Sequence, residues 1–260
     1  MAYPSKLKGK RALVTAGAQG IGLAISRELL ADGCDVFVHY HSSGEAARVL
    51  AQAAGQLGQR CGHAAADLTA PSQCDRLVAE AVAFLGGLDI LVNNAGTMIA
   101  KRLLADADDA FWTDVMSINL GSMQRVTRAA VPHLARAART GGGASIVNLA
   151  SVAGRKGGAP GTLAYSTAKG ATLSFTRALA EELGPQGIRV NALAPGLILG
   201  SQFHVTHTKP EAIPGIVAGI PIGRPGVTED VARLTAYLAS EFDGFITGAT
   251  VDINGGAYRA

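Results

Sequence analysis

The chain is short of charge, of aromatic rings and of cysteine, and each shortage excludes something. Among 260 residues, Lys and Arg total 23 against 20 Asp and Glu, a formal charge of +3. So small a surplus, spread along the chain, makes no basic stripe for a nucleic-acid backbone. Aromatic residues are only 5%, which argues against an aromatic-rich binding sandwich. Cys34, Cys61 and Cys74 are odd in number and lack metal-ligand spacing. They fit a reducing compartment better than a disulfide scaffold. No apolar run reaches the roughly 18 residues of a membrane span. Residues 1–11 are basic but lack the apolar stretch and cleavage pattern of a signal peptide. The expectation is a cytoplasmic protein with a small-molecule partner, bound to neither nucleic acid nor membrane.

What the chain does have is apolar mass, with 48% hydrophobic residues and 33 glycines. A domain of this size buries roughly three quarters of the surface its unfolded chain exposes, and the composition excludes disorder. Strand-like runs at residues 11–15, 35–40, 60–66, 88–93, 144–150, 188–194 and 250–253 alternate with helical patterns at 21–31, 44–57, 72–85, 108–138, 164–183 and 229–240. Near-continuous apolar strands with helices between them predict an α/β fold, a doubly wound, Rossmann-like parallel sheet covered on both faces. No shift in composition marks a linker, so residues 1–260 read as a single domain. Residues 154–162 read as a loop, and 196–226 carries four prolines and weak periodicity. Such segments at the carboxyl ends of strands are where open α/β sheets bind ligands.

The first strand runs into Thr15-Ala16-Gly17-Ala18-Gln19-Gly20-Ile21-Gly22 and then a helix. Glycines at 17, 20 and 22 allow a tight turn and close approach to a pyrophosphate, which the helix N-terminus would attract. Together with Asp67-Leu68, Asn93-Asn94-Ala95-Gly96, Asn119, Ser151, Tyr165-x-x-x-Lys169 and Pro195-Gly196, this turn resembles the short-chain dehydrogenase/reductase family, in order and in spacing, from Gly9 to Gly256. The resemblance implies a bound NAD(H) or NADP(H) and a homotetramer or homodimer. One departure stands in the turn: Ala16 occupies the place of the family's first glycine, with Gly17 beside it to supply flexibility.

A carboxylate ending the second strand would bind the ribose hydroxyls of NAD and repel a 2′-phosphate. Here that strand ends in Tyr40-His41-Ser42-Ser43, with no acid, so NADP(H) is favoured over NAD(H). Gln19 stands against this, where NADP-dependent relatives often carry Arg or Lys, and Ser43 also reads as an ordinary helix N-cap. His39-x-His41 has the spacing of a metal pair but no third ligand nearby, so no metal is expected. By resemblance, Asp67 meets the adenine with Leu68 beside it. Asn93, Ala95 and Gly96 line the cofactor, with Asn94 mainly structural. Pro195, Gly196 and the backbone of Ile198 hold the nicotinamide, while Gly200 replaces a phosphate-binding Thr, leaving Ser201 as the nearest substitute.

Tyr165 and Lys169, four apart on a helix, share one face, and Ser151 precedes Tyr165 by fourteen positions. Reducing a ketone leaves an alkoxide that needs a proton. A phenol donates one readily, and a nearby ammonium lowers its pKa enough for the reverse step. Ser151 would hold the substrate oxygen, and by resemblance Lys169 reaches the nicotinamide ribose and Asn119 holds a relay water. The expected function is therefore reversible hydride transfer between a nicotinamide cofactor and a small-molecule ketone or secondary alcohol. The substrate loop is placed at about 197–226, with Phe203, His204 and His207 as contacts. The alternative is a 3-oxoacyl-carrier-protein reductase, disfavoured because Glu181-Glu182 stands where such enzymes tend to place Arg for an acidic carrier. A non-catalytic dinucleotide-binding subunit is the other reading, and the intact Asn119/Ser151/Tyr165/Lys169 set argues against it.

Overall fold

Alternate residues of each strand belong to different cores, and this sorts the helices into two layers. The computed structural model describes residues 7–240 and 244–259; the part of the leader reading that falls on residues 1–6 lies outside them. On β1 (Arg11–Val14), β2 (Asp35–Tyr40) and β4 (Ile90–Asn93), residues Val14, Val36, Val38, Ile90 and Val92 join one core. Helices α1 (Gly20–Ala31), α2 (Gly44–Gln56) and α10 (Thr228–Ala239) cover it. Leu13, Phe37 and Leu91 face the other way, into a core closed by α3 (Pro71–Leu85), α5 (Ser122–Ala137) and α7 (Leu163–Leu183). With side chains alternating at a period of two, a strand covered on both faces must be apolar throughout.

The remaining strands are β3 (Cys61–Ala65), β5 (Ala144–Leu149), β6 (Ile188–Pro195) and β9 (Thr250–Ile253). All seven pair in parallel, in the order β3-β2-β1-β4-β5-β6-β9. The expected doubly wound sheet is the observed one. Because β1 bonds both β2 and β4, the strand order reverses there and a crevice opens beyond their carboxyl ends.

The helix expected over 108–138, long or broken, is observed as α4 (Asp109–Met116), a π-helical segment Ser117–Gly121, and α5. Two expectations need correction. The loop expected at 154–162 begins inside a short helix, α6 (Val152–Lys156). Arg155 pins that helix to β9, through Asp252 at 3.1 Å and the Thr250 carbonyl at 3.0 Å. The segment after β6 is tied at its base by two short paired strands, β7 (Ile198–Leu199) and β8 (Gly226–Val227). Between them lie α8 (Gln202–His207) and α9 (Ile213–Ala218). Among the described residues no helix is long and apolar enough to cross a membrane, and no cluster of His, Cys, Asp or Glu could hold a metal ion.

Candidate active site

The turn between β1 and α1 carries two left-handed residues, Ala16 at φ 49° and Gly20 at φ 50°. Gly17 has no positive φ, so the flexibility expected of it is not used. It is buried instead, and a Cβ there would lie 2.9 Å from both Ser26 Oγ and the Val14 carbonyl. Gly17 is thus a packing glycine outside the cleft, which Ala16 lines in its stead. Ala16 is held at both ends: its N–H donates to His39 Nδ1 at 2.9 Å, and its carbonyl accepts from Asn94 Nδ2 at 3.1 Å. Helix α1 has no side-chain cap and no acid in its first turn. Its free N–H groups and positive dipole end therefore face the crevice.

One end of the crevice is a cavity of about 480 Å³, lined by Gln19, Tyr40, His41, Ser42, Ser43, Asp67, Leu68, Ala95 and Gly96. Ser43 sits at the N-cap of α2 but does not cap it; its hydroxyl donates to Gln19 Oε1 at 2.8 Å. Asp67 Oδ1 accepts from the Thr69 hydroxyl at 2.7 Å and the Thr69 N–H at 2.9 Å. These bonds hold the carboxyl below its usual range. Asn93 does not reach this cavity. It is buried on β4, donating to Thr127 Oγ1 and Asn148 Oδ1, each at 2.9 Å. Asn94 borders the cleft instead, while its Nδ2 also donates to the Thr15 and Ala16 carbonyls, the bracing role expected of it.

Ala16, Gln19 and Gly96 also border a second cavity, of about 390 Å³, so the two form one cleft. Its walls include Gly20, Ile21, Gly22, Ser151, Tyr165, Lys169, Pro195, Gly196 and Ile198. Tyr165 and Lys169 project from one face of α7, with Nζ 5.8 Å from the ring centroid. Burial pushes the Tyr165 phenol up to about 12, and a hydrogen bond with Ser151 opposes the rise. Burial also pushes the Lys169 ammonium down to about 8. The expected lowering of the phenol is therefore not observed: loss of water raises it, and Ser151 is the group that opposes the rise. Lys169 Nζ donates to the Leu149 carbonyl at 2.7 Å. Ser151 caps α6, its Oγ accepting from Ala153 N–H at 3.1 Å.

Asn119 lies in the π-helical segment, its Nδ2 donating to the carbonyls of Thr97 at 2.7 Å and Val115 at 2.8 Å. Its Oδ1 is buried without a partner. A Cβ on Gly96 would stand 2.6 Å from that oxygen and 3.0 Å from Lys169 Nζ. Only glycine leaves this approach open. The orphan acceptor and the ammonium thus border the same small space.

Sequence reasoning missed Thr15, whose hydroxyl accepts from the N–H groups of Asn94 and Ala95 at 2.9 and 3.0 Å. It also took His39 only as half of a metal pair. Of the expected substrate contacts, Phe203 and His204 line the cleft, and the Phe203 ring lies 5.1 Å from that of Tyr165. His207 packs on Phe203 from outside the cleft. Gly200 sits at φ 79°, a backbone that would strain the absent Thr. The Ser201 hydroxyl accepts from His204 N–H at 3.3 Å, capping α8 rather than facing the cleft unengaged.

Residues 15–258 match the family described as enoyl-(acyl carrier protein) reductase. Nodulation protein G of Azospirillum brasilense is 38% identical over 95% of this chain and 97% of its own length. The 3-oxoacyl-[acyl-carrier-protein] reductase FabG of Pseudomonas aeruginosa is 37% identical over 98% of this chain and 99% of its own. Among solved structures, the NADH-dependent reductase A1-R′ responsible for alginate metabolism superposes with a TM-score of 0.90. It is 32% identical and covers 98% of this chain and 100% of that one. A short-chain dehydrogenase of Burkholderia cenocepacia in complex with NADP gives 0.89 at 33% identity, covering 97% and 99%. Sequence and fold agree, and the chain belongs to the short-chain dehydrogenase/reductase family of oxidoreductases.

Proposed function

We propose that this enzyme interconverts a ketone and a secondary alcohol on a small molecule, using a nicotinamide dinucleotide held along the crevice. The observation that carries this reading is the meeting of Ser151, Tyr165 and Lys169 in a cleft whose other arm begins at an uncapped helix N-terminus. The chain fits a dinucleotide on its own evidence: the free α1 amides, the bare face of Gly96 and the orphan Asn119 oxygen. Gly20, Ile21 and Gly22 would take the pyrophosphate at the α1 terminus. Leu68 and Ala95 would wall the adenosine end with Asp67. Pro195, Gly196 and Ile198 would hold the nicotinamide, which when bound supplies or accepts the hydride.

The residues then divide the remaining work. Ser151 donates a hydrogen bond to the substrate oxygen and keeps it beside Tyr165. Tyr165 gives that oxygen its proton during reduction and recovers it during oxidation. Lys169 stabilises the phenolate and reaches the nicotinamide ribose, and Asn119 Oδ1 accepts from the water that links the lysine to solvent. The segment 197–226 forms the substrate wall, with Phe203 over the Tyr165 ring. Tyr165→Phe is expected to lower turnover by at least about a hundredfold while dinucleotide binding, followed by fluorescence titration, persists. Unchanged turnover would remove Tyr165 from the mechanism.

NADP(H) is the favoured dinucleotide, because the β2 end offers Tyr40, His41, Ser42 and Ser43 and no carboxylate. Parallel titration with NADPH and NADH tests this, and tighter NADH binding would reverse it. A 3-oxoacyl carrier substrate is supported by the names of the relatives and opposed by exposed Glu181 and Glu182 on α7. The free thiols of Cys34, Cys61 and Cys74 support a reducing compartment, the cytoplasm. A homotetramer or homodimer is inferred from family membership, and light scattering of the purified protein decides it.

A further inference from the structure

Building on the dinucleotide reading, we propose that His39 is a positioning residue for the dinucleotide turn. Its imidazole fixes Ala16 in a left-handed backbone, replacing the freedom a glycine would have given. An L-residue with a side chain disfavours that backbone by roughly 5- to 30-fold. Among the described residues only Ala16 and Ile99 adopt it without being glycine. Such a conformation persists where the surroundings over-determine it, and here both peptide groups of Ala16 are engaged. Asn94 takes the carbonyl and His39 the N–H.

The hydrogen bonds leave His39 one protonation state. The residue is 3% exposed. The Ala66 carbonyl, 3.0 Å from Nε2, can only accept, and the Ala16 N–H, 2.9 Å from Nδ1, can only donate. The proton must therefore sit on Nε2, leaving the Nδ1 lone pair for Ala16. The strand backbone assists, since the His39 carbonyl accepts from Gly17 N–H at 2.9 Å. A second proton on the ring would set two N–H groups against each other and release Ala16. The ionisable groups nearby are His41 on the same segment, His63 on β3, and Asp67 and Asp114 across the cavity. The turn and residues 94–97 contribute none. Burial disfavours the charged ring most, the Ala66 carbonyl works against that, and His41 adds to the effect of burial.

The test is a double-mutant cycle in the full chain, comparing the unchanged protein with His39→Leu, His39→Asn, Ala16→Gly and Ala16→Gly/His39→Leu. NADPH affinity is read by fluorescence titration, and the thermal midpoint without dinucleotide is read beside it. Asparagine Oδ1 stands as many bonds from the backbone as histidine Nδ1, so His39→Asn retains the acceptor. His39→Leu is expected to weaken NADPH binding by about tenfold or more, and His39→Asn by less than about threefold. In the Ala16→Gly background the leucine is expected to cost less than about threefold, because glycine needs no strut. An equal cost in both backgrounds would reduce His39 to core packing and overturn the proposal. If the leucine variant does not fold, acid supplies the comparison. Burial holds the His39 imidazole below its ordinary value, so the unchanged protein is expected to lose NADPH affinity only as pH falls below about 6.5 and the ring charges, and His39→Asn to lose less. An equal loss in the two proteins overturns the proposal as well. If neither NADPH nor NADH binds the unchanged protein, the dinucleotide reading fails. The strut is still judged by whether Ala16→Gly cancels the loss of thermal midpoint caused by leucine.

Discussion

Tyr165 and Lys169 are desolvated together, and this sets the direction in which pH acts. A phenol raised to about 12 stays protonated through the neutral range, ready to donate to a substrate alkoxide. Lys169, lowered to about 8, begins to lose its proton just above neutrality. Once neutral it no longer stabilises the phenolate that donation leaves behind. Ketone reduction is therefore expected to decline as pH rises through about 8. A profile of kcat/KM against pH, flat from 7 to 10, would contradict this coupling. The stability effect has its own sign. The folded pKa of Lys169 lies below its unfolded value, so the unfolded chain binds the extra proton between about 8 and 10.5, and stability contributed by this group rises across that window.

At the scale of the element, helices and loops decide which residues face the cleft, and here the sequence was partly opaque. Apolar runs gave the strands, and the spacing of four gave Tyr165 and Lys169 a common face of α7. The roles of Asn93 and Asn94 depend on where β4 ends. Asn93 is its last residue, paired with Asn148 inside the sheet, while Asn94 already turns toward the crevice. The sign of φ at Ala16 and Gly17 leaves no trace in residue type when one is alanine and the other glycine. Helices α8 and α9 have six residues each, too short to show a helical period. Yet α8 delivers Phe203 onto the Tyr165 ring. Phe203→Ala is expected to raise the substrate KM severalfold and leave dinucleotide affinity within about twofold, since the lost contact is on the substrate side. A matching loss of dinucleotide affinity would place Phe203 elsewhere in the mechanism.

For the whole molecule, the crevice is an interface between two halves of one sheet, so a ligand bound there braces both. NADPH at a hundred times its Kd is expected to add about 2.7 kcal/mol to the folded state. At roughly 2–4 °C per kcal/mol for a chain of this size, the thermal midpoint should rise about 5–10 °C. A midpoint indifferent to saturating NADPH and NADH alike would mean that neither binds the folded form. The same architecture has a consequence for the life of the chain before it is complete. Helix α1 lies against α10, with Ile25 and Leu29 sharing a core with Val231 and Ala236. While the ribosome is still making residues 40–227, the part of α1 that packs on α10 has no native cover. Newly begun copies must carry that sticky surface through most of translation. Chaperone demand during synthesis, and precipitation of fragments ending before residue 228, follow from this join between the first helix and the last.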